Sequence, residues 1–229
     1  MFELPGLPHL QAGTLFCIGR NYVDHAKELN NPVPSQPLVF LKSRNTLVFP
    51  SPEAEILLPP QSTDVHHEVE FVFAIGEPVH HASEQEAFDA IAGIAIGIDC
   101  TARDLQSKAK EKGHPWTLAK GFHTFAPIGE FITLPSLGIQ SFEGLSSLTM
   151  SCSVNGEQRQ HGSISDMIFS PTSLIQYVST ICPLIPGDVL FTGTPAGVAK
   201  LQAGDTIQAT LHDSSSSISL DVVHAPEGG

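Results

Sequence analysis

Three features of this sequence predict a strand-rich α+β fold. Residues 67–75 alternate, with Val69, Phe71, Phe73 and Ile75 on one side of an extended chain and Glu68, Glu70, Val72 and Ala74 on the other. Short apolar runs of the same kind recur along the chain, separated by glycine- and proline-containing turns. Helix-start signals are few: Ser83 with Glu86, Thr101 with Asp104, and Ser170-Pro171.

In chain order, a strand is expected over 14–18, just before Gly19-Arg20-Asn21. A short helix should then carry Asp24, His25 and Glu28, because Pro32, Pro34 and Pro37 prevent its continuation. Strands follow over 37–42, 55–58 and 67–75. The Ser83 capping box should open a helix reaching about Ala92, and 93–100 reads as an apolar strand. Thr101 and Asp104 start the next helix, and Gly113 stops it. Asn155-Gly156 is the turn of a hairpin joining 147–154 to 157–160. The helix after Ser170-Pro171 places Leu174, Ile175, Tyr177, Val178 and Ile181 on its apolar side, and Pro183 and Pro186 end it. Strands over 188–192, 206–211 and 218–223 complete the order, with the serine run 214–217 as an exposed hairpin loop. No linker or solenoid-length repeat divides the 229 residues, so they read as one domain with an irregular N-terminal arm.

The chain carries 24 acidic and 11 basic residues, a formal net charge of −13, which repels nucleic acid and anionic membranes. With no basic stripe, neither is expected as a partner. A small anionic substrate fits nonetheless, because a local Lys, Arg or metal ion reverses the potential inside one cleft. Cys17, Cys100, Cys152 and Cys182 form no C-x-x-C pair and read as buried hydrophobes in a reducing compartment. The first residues lack a basic-then-apolar signal, and the longest apolar stretch, 90–98, is too short to span a bilayer. A cytoplasmic location is the expectation.

The chemistry concentrates in acidic residues. Glu68 and Glu70 share one face of a strand, roughly 7 Å apart at Cα. Pattern alone leaves two readings open: a solvated face, or an inward pair that needs a cation. Asp99, at the end of the apolar strand, adds a third carboxylate, and Arg103 and Gln106 follow on one helical face. Three carboxylates without a thiolate suit Mg²⁺ or Mn²⁺, and Ca²⁺ can take the same oxygen ligands in a crystal. His66 and His67 point to opposite faces, with His67 beside Val69 and Phe71, and both read as structural or outer-shell groups. Thr192-Gly193-Thr194-Pro195 reads as a turn after a strand, in which Gly193 permits close backbone approach and a cis bond before Pro195 is open.

Several ordered motifs carry a family resemblance. They are Gly19-Arg20-Asn21-Tyr22 with Asp24-His25 and Glu28; His67-Glu68-Val69-Glu70; Asp99-Cys100-Thr101-Ala102-Arg103-Asp104-Leu105-Gln106; Lys112-Gly113-His114-Pro115-Trp116-Thr117-Leu118-Ala119-Lys120; and Thr192-Gly193-Thr194-Pro195-Ala196-Gly197-Val198. Over essentially its full length the chain resembles the fumarylacetoacetate hydrolase superfamily, in the short single-domain branch of acylpyruvase and oxaloacetate decarboxylase. The resemblance implies a mixed β-sandwich roll, with an arm and lid over about 1–50 and the roll over about 51–229. It implies a metal on Glu68, Glu70 and Asp99, with Lys120 beside it. Arg20, Arg103, Gln106 and the turn Thr192, Gly193 and Thr194 would meet a small anionic 2-oxo acid. His25 and Glu28 would lie on a mobile lid and activate water, since no Ser or Cys resembles a nucleophile elbow. Hydrolysis of an acylpyruvate or fumarylpyruvate C–C bond is the leading activity, with oxaloacetate decarboxylation in the same site. The alternatives are an oxaloacetate keto–enol tautomerase, an isomerase of an unsaturated 2-oxo diacid, and a catalytically silent binding protein. Gly121 departs from the family, where Ser often follows the Lys. A homodimer is expected from the resemblance and from apolar strand faces such as that of 69–75.

Overall fold

A computed structural model describes residues 2–28, 32–212 and 215–226. Two five-stranded mixed sheets form its body. The first runs in the order Leu38–Lys42, Leu15–Gly19, Val189–Phe191, Val69–Ile75 and Ile91–Ile98. The second runs Glu157–Ser163, Thr149–Val154, Thr206–Leu211, Ser216–His224 and Glu55–Leu58. Each sheet contains one parallel pair, Leu15–Gly19 with Val189–Phe191 and Ser216–His224 with Glu55–Leu58. The architecture is thus the strand-rich α+β roll expected from the sequence.

Alternation within the strands explains how the sheets pack. Phe71, Phe73, Ile75, Ile94, Ile96 and Ile98 join Met150, Cys152, Ile207, Ala209, Leu211, Ile218 and Leu220 in the main core. Val72, Ala74, Ala95, Val189 and Phe191 face the other way and pack with Leu4, Leu7 and Leu10 in a second core. Every residue of Val69–Ile75 is therefore buried. The N-terminal arm is less irregular than expected: Glu3–Leu4 and Leu7–Gln11 form a hairpin, and Leu15–Gly19 and Leu38–Lys42 belong to the first sheet. Gly97, opposite Glu70, allows the close packing of this sheet, since a Cβ there would sit 2.5 Å from Val72 Cγ2.

Most predicted elements are present, and the differences have local causes. The helix capped by Ser83 is Glu84–Asp89, shorter than expected, because Ile91 pairs with Ile75 and Gly76 N–H donates to Ala90 O. The helix Arg103–Lys112 forms and ends at Gly113 in the left-handed region, but Thr101 does not cap it. Thr101 Oγ1 donates to Asp99 O instead, and the Asp104 carboxylate accepts from Ser62 Oγ and Leu105 N. In Pro171–Ile181, Leu174, Ile175 and Val178 are buried as expected, whereas Ile181 is 61% exposed at the helix end. Ser216 is buried and starts a strand with Ser217, so the serine run is only partly loop, and Ser214 lies outside the described residues. The Thr194–Pro195 bond is trans. Of the expected lid, Val23–Glu28 is helical, and Asn30 and Asn31 lie outside the described residues. Among the described residues no helix is long and apolar enough to cross a membrane. All four cysteines are free, and Cys17, Cys100 and Cys152 are buried.

Candidate metal centre and active-site cleft

The strand break between Val65–His67 and Val69–Ile75 leaves Glu68 at the end of the first sheet. Its carbonyl accepts from Asp99 N–H at 2.8 Å, which sets the two acidic residues side by side. Glu70 follows within the strand, opposite Gly97. Carboxylate oxygens of Glu68, Glu70 and Asp99 lie within 4.8 Å of one another, and none of the three residues is more than 5% exposed. The solvated-face reading of Glu68 and Glu70 is therefore wrong. Their side of the strand is covered by Phe40, His25, Arg103 and Lys120 from other elements, which alternation cannot reveal.

Three cations surround the acids. Lys120, at the end of the short helix Thr117–Lys120, lies 2.9 Å from Glu68 Oε2 and 2.5 Å from Asp99 Oδ2. Arg103 pairs through Nη2 with Glu68 Oε1, and its Nη1 donates to Gln106 Oε1 at 2.8 Å. Lys42 is a site residue the sequence reading missed. Its ammonium is buried, 2.6 Å from Asp99 Oδ1, and donates to the carbonyls of Cys100 and Phe125. A signal existed: period-two alternation along Leu38–Lys42 places Lys42 on the same side as Phe40, whose ring packs under the Lys120 ammonium. Lys42→Met should destabilise the metal-free protein by about 3 kcal/mol, because Asp99 loses a partner inside the core. A denaturant midpoint equal to wild type would show that Lys120 alone suffices for Asp99.

These surroundings divide the carboxylates. Burial would raise Glu68, but Lys120, Arg103 and His25 outweigh it and hold this carboxyl well below the usual range. Glu70 is pushed well above that range by burial and by the charges of Asp99 and Glu68, only partly offset by Lys120 and by Gly193 N–H. Burial alone would lower Lys120, yet Asp99 and Glu68 raise it, so it stays an ammonium. Lys120 bridges two acids and leaves the third without a cationic side chain in contact; Glu70 accepts only from Gly193 N–H, at 2.7 Å, among the described residues. A buried, hard-oxygen cluster with one uncompensated carboxylate fits a divalent cation of the Mg²⁺ or Mn²⁺ type.

The cleft beside the acids has a volume of about 30 Å³. Of the predicted residues, Arg20, His25, Glu68, Glu70, Arg103, Gln106, Lys120 and Thr194 line it. Lys110, Phe40 and Trp116 line it too, and the sequence reading had assigned them no role. Lys110 is anchored 5.4 Å over the Trp116 ring, and its ammonium is held below the usual lysine range by burial and by Arg103 and Arg20. Glu28 does not line the cleft; its Oε2 lies 3.1 Å from His25 Nδ1 and its Oε1 accepts from Gly197 N–H. His25 itself is buried.

The turn after Val189–Phe191 separates its residues by role. Thr192 Oγ1 donates to Phe71 O and its carbonyl accepts from Asn21 Nδ2, so this side chain ties the turn to the sheet. Gly193 has φ 95°, and a Cβ there would meet Asn21 Cβ at 2.7 Å. Gly121 closes the Lys120 helix through its N–H to Thr117 O. His67 Nδ1 lies 2.9 Å from Gln160 Oε1 and His66 Nε2 lies 3.1 Å from Asp64, so both imidazoles are engaged away from the acids, as expected. A larger groove of about 650 Å³, lined by Pro60, Lys200, Gln202 and His224 among others, includes none of the acidic or catalytic candidates.

A two-sheet roll that gathers buried carboxylates, lysines and an imidazole around one cleft has the architecture of an enzyme whose acids could hold a metal ion. A family model described as fumarylacetoacetate (FAA) hydrolase C-terminal matches residues 14–219, and the chain belongs to this family. It is 37% identical over 209 residues to the mitochondrial oxaloacetate decarboxylase of Dictyostelium discoideum, covering 91% of this chain and 93% of that protein. It is 40% identical over 199 residues to the mitochondrial oxaloacetate tautomerase of Bos taurus, covering 86% of each. The crystal structure of fumarylpyruvate hydrolase from Pseudomonas aeruginosa in complex with Mn²⁺ and pyruvate is similar, with a TM-score of 0.86 and 32% identity over 94% of this chain and 91% of that one.

Proposed function

We propose that this protein is a divalent-metal-dependent enzyme that moves a proton on a small dicarboxylic 2-oxo acid, with keto–enol tautomerisation of oxaloacetate as its reaction. The observation that carries this reading is a buried imidazole, oriented by Glu28, in the same cleft as the acid cluster and a cationic wall. Glu68, Glu70 and Asp99 would hold the metal, which when bound polarises the 2-oxo carbonyl and stabilises negative charge on its oxygen. Arg103, steadied by Gln106, binds the carboxylate next to that carbonyl. Arg20 and Lys110 are crowded like charges, and a second carboxylate relieves their repulsion, which favours a diacid. Glu28 engages Nδ1 of His25 and leaves Nε2 to take the proton from the adjacent carbon and deliver it to the 2-oxo oxygen, the reverse transfer restoring the keto form. The sequence similarity to an oxaloacetate tautomerase and an oxaloacetate decarboxylase supports this substrate.

C–C hydrolysis of an acylpyruvate is the second reading, favoured by the similarity to a fumarylpyruvate hydrolase. There the same His25–Glu28 pair would deprotonate water. A panel of oxaloacetate, acylpyruvates and unsaturated 2-oxo diacids, with added Mg²⁺ or Mn²⁺ and products followed by NMR, separates the two. Accelerated enol–keto exchange of oxaloacetate that a chelator stops is the expected result. Faster cleavage of an acylpyruvate than exchange of oxaloacetate would put hydrolysis first.

We also propose a homodimer. The faces of Val69–Ile75 give no reason for one, because both are covered within the chain. The support lies instead at the outer strand Leu38–Lys42, where Leu41 is 55% exposed and Leu118, on the helix packed nearby, is 77% exposed. Light scattering at micromolar concentration should give twice the chain mass; a monomer rejects the proposal.

A further inference from the structure

The geometry points to Gln160 as a positioning residue that fixes the Thr194 hydroxyl as a hydrogen-bond donor toward the cleft, so that this wall selects an acceptor-only oxygen, a carboxylate or an enolate, on the ligand. This deepens the 2-oxo acid reading of the cleft and rests on it.

Gln160 is buried on the strand Glu157–Ser163 and uses both ends of its amide. Oε1 accepts from Val69 N–H at 3.0 Å and lies 2.9 Å from His67 Nδ1. Nε2 donates to Pro195 O at 2.9 Å and to Thr194 Oγ1 at 2.8 Å. Two backbone groups settle which end is which. Val69 N–H can only donate and Pro195 C=O can only accept, so a rotated amide would set donor against donor and acceptor against acceptor. His67 must then donate from Nδ1 to the Gln160 oxygen.

The same polarity passes to Thr194. Its oxygen receives the Gln160 amide proton, so its own hydrogen must find another acceptor. Among the described residues the protein supplies none, and Thr194 lines the cleft with His25, Glu70 and Arg103. The arrangement has little slack. A Cβ on Gly197 would lie 2.0 Å from Arg159 O, and one on Gly162 would lie 3.1 Å from Pro195, so the turn rests directly on the strand that carries Gln160. Gln160 thereby links the backbone between Glu68 and Glu70 to the substrate-facing hydroxyl.

The test uses oxalate as the probe, titrated by calorimetry into the Mn²⁺-loaded protein. Thr194→Val removes the hydroxyl. Gln160→Glu keeps an acceptor for Val69 N–H and His67 but sets an oxygen against Thr194 Oγ1 and Pro195 O, so the hydroxyl turns inward while the Pro195 carbonyl loses its donor. Each should weaken oxalate on the order of 10-fold or more, the usual worth of a hydrogen bond to an anion. The double variant should be no weaker than the weaker single by more than about threefold, because both remove one interaction. Mn²⁺ affinity should stay unchanged throughout, which a merely structural glutamine would not allow. Wild-type oxalate affinity in Gln160→Glu, losses that multiply in the double variant, or Mn²⁺ affinity that falls in step would each overturn the inference. A neutron structure of the wild type gives the answer even if Gln160→Glu fails to fold: a Thr194 deuteron directed at Gln160 refutes it, and one directed at the cleft supports it. A wild type that binds oxalate through Thr194 but turns over no 2-oxo acid refutes the proposed function alone.

Discussion

Glu70→Gln is expected to abolish metal-dependent turnover and leave the fold intact. Glu70 is the acid with no lysine or arginine in contact, and burial and its two acidic neighbours disfavour its charge. Glutamine has the same shape, and its carbonyl oxygen can still accept from Gly193 N–H. In the metal-free protein the substitution removes like-charge repulsion, so its melting temperature should equal or exceed that of wild type. The cost falls on the cation, which loses an anionic ligand from a set of three. Outer partners of metal ligands are already worth roughly 10- to 100-fold in affinity or activity, so loss of a ligand should exceed about 100-fold in metal affinity. A Mn²⁺ titration read beside a thermal melt separates lost ligation from lost folding. Chelated wild type should behave like the variant. Full activity in either sample would remove the metal-dependent mechanism.

Local signals in the sequence carried much of this structure. The capped start at Ser170, the Asn155-Gly156 turn and the alternation of 69–75 each depend on residues within one element, and each is present. The two readings of Glu68 and Glu70 could not be separated in this way. Whether their side of the strand meets water depends on His25, Phe40, Arg103 and Lys120, which arrive on other elements. Gln160 was illegible for the same reason, and alternation gave only the side of the strand on which Lys42 lies: their partners Val69, Thr194 and Asp99 lie on other elements. Motif order identified Thr192 and Thr194 together, but only the hydrogen bonds show that Thr192 Oγ1 faces Phe71 while Thr194 reaches the cleft. Asp104 shows the limit of a local pattern. Its capping-box spacing from Thr101 is correct, yet Ser62, from a distant loop, takes its carboxylate.

His25→Ala should reduce turnover by roughly 10²–10⁴-fold, the usual share of a general acid or base, while Mn²⁺ affinity stays near wild type. His25 belongs to the cleft rather than to the acid cluster that would hold the cation, so the loss is expected in proton transfer. Glu28→Gln should cost less, because glutamine still offers an oxygen to Nδ1 and so keeps the ring oriented, while withdrawing the carboxylate charge beside it. The helix Val23–Glu28 is also expected to move. A cleft of about 30 Å³ holds little more than one water, so the proposed 2-oxo diacid would need its walls displaced, and the His25 helix is the wall expected to give way. One visible latch is the bond from Gly197 N–H to Glu28 Oε1, at 3.0 Å and on the exposed side. Opening there would free Glu28 and His25 together, and closing would restore both the proposed base and its orienting partner, coupling proton transfer to the exclusion of water. Glu28→Ala should therefore impair catalysis and also speed ligand exchange, visible as faster oxalate dissociation in stopped flow. If His25→Ala exchanges oxaloacetate tautomers and cleaves acylpyruvates at wild-type rates, His25 is not the group that moves the proton, and both readings of the cleft lose their base.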